Sequence, residues 1–60
     1  MTKLQILFRI NEMTGESITL NQALEVMERV VFTQEVLEEE GNEFDMDQLI
    51  RDLIDEVVLA

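Results

Sequence analysis

The chain has no cysteine, no histidine, no proline, no tryptophan and no tyrosine. Without cysteine there is no disulfide staple and no zinc thiolate site, and the redox compartment is left open. Without histidine the commonest general base and the commonest imidazole metal ligand are both missing. One serine, Ser17, and one lysine, Lys3, are all that remain of the usual nucleophiles. Paired carboxylates can do acid–base work, but only in a pocket that separates their pKa values. A helical chain of 60 residues rarely encloses one. The chain is therefore expected to have no catalytic residues and no cofactor, and not to be an enzyme.

Long apolar runs are also missing. The stretch Leu4 to Ile10 is interrupted by Gln5 and Arg9 and is followed by no small-residue cleavage site, so it does not read as a signal peptide. Nothing approaches the roughly 20 apolar residues that span a bilayer. The expectation is a soluble, cytoplasmic protein without membrane contact.

Positive charge is scarce and unevenly placed. The formal charge is −10. Residues 1–30 hold Lys3, Arg9 and Arg29 against Glu12, Glu16, Glu25 and Glu28, a net of −1. Residues 31–60 hold Arg51 against ten carboxylates, a net of −9. Such a surface repels phosphate backbones and anionic lipids and attracts basic proteins. No direct nucleic-acid contact is expected.

A hydrophobic content of 47% is nevertheless enough for a core. Sixty residues allow one domain, 1–60, and a domain of that size is marginal alone. The longest element is a predicted helix over 20–40. Thr19 and Gln22 have capping-box spacing, Ile18 precedes the cap as a staple, and Gly41 is a natural stop. Its apolar stripe reads Leu20, Ala23, Leu24, Met27, Val30 and Val31. Phe32, Val36 and Leu37 continue off that stripe, so the helix either changes its contacts or bends near Thr33. After a short connector, Asp45 caps a second helix over 46–59, with Gln48 at capping-box spacing. There Met46, Leu49, Ile50, Leu53, Ile54, Val57 and Val58 recur at helical intervals. The short link predicts an antiparallel hairpin.

Residues 2–14 read two ways. Leu4, Ile6, Phe8 and Ile10 alternate as in a half-buried strand. Thr2, Gln5, Arg9, Glu12 and Glu16 step by three and four as on the polar face of a helix, Thr2 and Gln5 have capping-box spacing, and Gly15 can end the helix. The helix is preferred. The predicted fold is all-α, a helical hairpin with a short N-terminal helix, and the alternative is an N-terminal strand or β-hairpin followed by two helices.

The most distinctive local feature is acidic. Glu35, Glu38, Glu39, Glu40, Glu43, Asp45 and Asp47 put seven carboxylates in thirteen residues. Asp45 and Asp47 complement a helix start. Glu38, Glu39 and Glu40 fall at a helix end, where negative charge is unfavourable, so local stability does not explain them. Together with Phe44 these seven acids form the predicted partner-binding surface. Of the three aromatics, Phe8, Phe32 and Phe44, the ordinary role is core packing. Phe32 or Phe44 can instead be an apolar anchor inside a charged rim. A calcium loop fails, because Gly41 at its sixth position puts Val36 at its first. A helix-turn-helix over 9–21 is a poor match, with Glu16 where an apolar turn residue belongs and Asn11 where a small one belongs.

In size and charge the chain is similar to the small acidic proteins that phages and mobile elements use to disable a host protein. That likeness implies an inhibitor or sequestering module for a basic surface, such as that of a nuclease or defence enzyme. The alternative is a structural or regulatory helical oligomer whose acids serve solubility. A homodimer is expected on either reading, because one hairpin and a short third element leave apolar stripes of the last two helices uncovered.

Overall fold

The computed structural model describes residues 2–15 and 17–59. Its elements are α1 (Lys3–Thr14), α2 (Leu20–Glu40) and α3 (Met46–Leu59), with no strand among the described residues. The N-terminal segment is thus a helix. Thr2 starts it with both halves of a capping box: its Oγ1 accepts from the Gln5 N–H at 3.2 Å, and Gln5 Oε1 accepts from the Thr2 N–H at 2.9 Å. The apparent alternation dissolves into helical faces. Ile6 and Ile10, one turn apart, are buried, while Leu4 and Phe8, one turn apart on another face, are each 61% exposed. Gly15 ends α1 at φ 61° with its N–H on the Asn11 carbonyl at 2.8 Å. Glu16, expected on the polar stripe, lies outside the described residues.

Thr19 repeats the capping box at α2. Its Oγ1 accepts from Gln22 N–H at 3.1 Å, and Gln22 Oε1 accepts from its N–H at 3.0 Å. Ile18 packs partly against the core that includes Ala23, the fourth helical residue, as a staple does. At the far end Gly41 takes the left-handed conformation, φ 74°, ψ 17°. Its N–H bonds the Glu38 carbonyl at 3.1 Å, and the Asn42 N–H bonds that of Leu37 at 3.0 Å. This pair of bonds is a Schellman motif. At α3, Asp45 Oδ1 accepts from the N–H groups of Asp47 at 3.0 Å and Gln48 at 3.4 Å. The expected reciprocal half is replaced: Gln48 Nε2 donates forward to Asp52 Oδ1 at 2.9 Å.

The core is Ile6, Ile10, Ala23, Val26, Met27, Val30, Ile50 and Leu53. α2 packs against both of its neighbours, and α1 touches α3 less. Full burial of each branched side chain is worth on the order of 1.5–3 kcal/mol, so these residues hold the three helices together. Four expectations are corrected here. Leu20 and Leu24, placed on the buried stripe of α2, are exposed, and Val26 takes the buried place beside Met27 and Val30. Phe8 and Phe32, expected in the core, are exposed as well. The reason is geometric. With α1 and α3 as its two neighbours, α2 buries the wedge between them, and residues outside that wedge stay in water whatever their hydropathy.

The last helix also departs from expectation. Ile50 and Leu53 are buried, and Met46, Leu49, Ile54 and Val57 pack against the core within one chain. Of its predicted stripe only Val58 stays exposed. The remaining apolar exposure sits on α1, on α2 and at Val58 and Leu59.

Candidate functional site

The second half of α2 carries no buried residue beyond Val30. Helix geometry continues to Glu40 because the Schellman motif closes its end, but residues 32–40 have left the core. Phe32 is 68% exposed. It lines an open groove with Glu28, Arg29 and Thr33 of α2 and with Leu53 and Glu56 of α3. Along the same helix it borders a second concavity with Val36, Glu35, Glu38 and Glu39. Phe32 thus joins two adjoining depressions, with Leu53 and Val36 as apolar floor and with carboxylates around them.

Three ion pairs show which charges are already engaged. Lys3 Nζ is 3.7 Å from Glu28 Oε1, Arg9 Nε is 3.6 Å from Asp47 Oδ1, and Arg29 Nη2 is 3.8 Å from Glu25 Oε1. Among the described residues Glu35, Glu38, Glu39, Glu40, Glu43, Asp45 and Glu56 form no ion pair. Two of them accept from neutral donors: Glu38 Oε1 from Gln34 Nε2 at 3.1 Å, and Glu40 Oε2 from Asn42 Nδ2 at 3.0 Å. No basic residue stands in the last turn of α2. The unfavourable placement of charge at that helix end is therefore uncompensated by any local cation.

The predicted surface divides into two parts. Glu35, Glu38, Glu39 and Glu40 project from the end of α2, and three of them share the concavity with Phe32. Glu43, Phe44, Asp45 and Asp47 belong to the connector and the first turn of α3. There Asp45 is occupied as a helix cap and Asp47 with Arg9. Phe44 is partly buried, so the more exposed aromatic beside the acids is Phe32. Phe32, which the sequence offers as an alternative anchor to Phe44 but which stands outside the predicted set, and Val36, Leu53 and Glu56 are the additions. The signal for the first two was their position off the main stripe of α2. Nothing in the sequence pattern separated Leu53 from other core leucines.

The carboxylates are spread along the surface. No three acidic side chains among the described residues converge as metal ligands would. No helix of the described residues is long and apolar enough to cross a membrane. No family model, curated protein or solved structure matches the chain.

Proposed function

We propose that this protein is an acidic interaction module that docks on a basic surface of another protein and blocks it. The observation that carries this reading is Phe32, exposed beside Leu53 and Val36 and flanked by Glu35, Glu38, Glu39 and Glu56. Interfaces gain most of their affinity from a few apolar or aromatic anchors, and a charged rim adds steering and specificity. A surface with Lys or Arg around an apolar socket complements this arrangement. An inhibitor or sequestering protein acting on a nuclease or defence enzyme of a host fits it, since nucleic-acid channels are basic. The cytoplasm, where such targets work, is the proposed location.

The proposed platform is an antiparallel α2–α3 hairpin. Its support is the short connector 41–45 and the groove that Leu53 and Glu56 share with Glu28, Arg29, Phe32 and Thr33. The alternative reading is a structural or regulatory oligomer in which the acids only maintain solubility.

A designed amphipathic helix of leucine and lysine is a suitable probe, with its leucine and glutamate counterpart as control. The lysine probe is expected to bind the parent, to bind less well as salt rises, and to lose most of its affinity to Phe32→Ser. Equal binding of both probes, or binding indifferent to Phe32→Ser, defeats the proposal.

A further inference from the structure

We infer that the basic partner meets this protein with a single amphipathic α-helix, laid along α2 and carrying its lysine and arginine residues at one end. This rests on the reading of the Phe32 surface as the docking site, and it names the element that fills that site. The two depressions that meet at Phe32 take their α2 lining from Glu28 to Glu39. That length of helix spans about 16 Å, or three turns, so the site is elongated along α2. Phe32 and Val36 stand one turn apart on one face of it, and Leu53 of α3 flanks Phe32 from the side. An extended peptide has no strand edge to join, since the described residues contain no strand. A proline-rich segment needs a groove lined by several aromatic rings, and Phe32 is the one aromatic residue lining either depression. A helix meets neither obstacle. Four side chains on a helix surface form a hole that receives one knob, here Phe32. Apolar residues one and two turns away on the same face then reach the depressions on either side.

Charge separates the two ends of the site. In the depression beside Leu53, Glu28 is paired with Lys3 at 3.7 Å and Arg29 with Glu25 at 3.8 Å. Glu56 is the one carboxylate there without an ion pair among the described residues. In the depression beside Val36 no cation lines the surface, and Glu35, Glu38 and Glu39 form no ion pair among the described residues. A helix with lysines spread along its length would set some of them near Arg29, where like charges repel. With its lysines grouped at one end it sets them all against uncompensated carboxylates, and its apolar part covers Phe32 and Leu53.

Titration of the full chain with three designed peptides of equal length and charge, blocked at both termini, tests this directly. The first is a helix of leucine, alanine and lysine with its lysines grouped at one end. The second spreads the same lysines evenly. The third is the first with two central, outward-facing alanines changed to proline, which keeps every leucine and lysine and breaks the helix. The grouped helix is expected to bind tightest, the spread one about fivefold more weakly, and the proline form roughly a hundredfold more weakly. Isotope labelling of the grouped peptide is expected to show helical carbon shifts in the complex. Equal binding of the proline form and its helical parent, both weakened by Phe32→Ser and by salt, overturns the helical partner and leaves the basic-partner reading standing. Equal binding of the grouped and spread helices overturns the placement of charge at one end. If none of the three peptides binds, the docking reading fails and this inference fails with it.

Discussion

Arg9 of α1 and Asp47 of α3 face each other at 3.6 Å. They join the first helix to the start of the last, across a contact that no local spacing specifies. Both side chains are about half exposed, so the pair is worth little. Asp47 also stands in the first turn of α3, where the helix dipole favours negative charge. It therefore has two structural reasons to be acidic, and Glu38, Glu39 and Glu40 have neither.

That contrast gives the first prediction. Asp47→Asn is expected to lower stability by less than about 1 kcal/mol and to leave binding of a lysine-rich probe nearly unchanged. Urea denaturation and a probe titration check the two halves. A loss of binding as large as that caused by Glu35→Gln would extend the docking surface into α3.

Replacing Glu38, Glu39 and Glu40 together with Gln is expected to do the opposite. These charges oppose the dipole at the end of α2 and repel one another. Their removal is expected to raise the melting temperature by roughly 4–8 °C if it recovers about 1 kcal/mol. The same variant is expected to bind a basic probe more slowly and with a flatter salt dependence. Stability gained and binding lost together mark residues kept for interaction. Unchanged binding at both low and high salt returns these acids to the role of a solvated surface.

Leu53 is only 8% exposed and lies both in the core and under the Phe32 groove. Leu53→Ala is expected to cost about 2–5 kcal/mol, enough to unfold most of a domain whose total stability is of order 5 kcal/mol. Phe32→Ser, at an exposed position, is expected to stay within about 0.5 kcal/mol of the parent. Thermal melts of the two variants test the assignment of buried and exposed faces. A small effect at Leu53 with a large one at Phe32 would reverse it.

Gly41 sits at φ 74° with open space where a Cβ would be. Gly41→Ala is therefore expected to cost about 1–2 kcal/mol, all of it conformational and none from crowding. Gly41→Asn is expected to cost less, because Asn tolerates the left-handed region. Equal melting temperatures for the Gly and Ala forms would show that α2 ends differently in solution.

The limits of α2 and α3 were readable from spacing alone, because caps and stops act over three to five residues, whereas over residues 2–14 the capping-box spacing favoured a helix and the apolar alternation left a strand open. Thr2 with Gln5, Thr19 with Gln22, Gly15 and Gly41 each sit at the distance their hydrogen bonds need. The charge asymmetry is likewise a property of the sequence. Which apolar residues are buried was decided only in three dimensions. Val26 is enclosed and Leu24 is not, although both suit a helix face, because burial on α2 depends on where α1 and α3 cross it. The same crossing leaves Phe8 and Phe32 in water, brings Leu53 beneath the groove and sets Arg9 against Asp47. Helical periodicity tells which residues share a face, and only the packing of neighbouring helices tells which face turns inward.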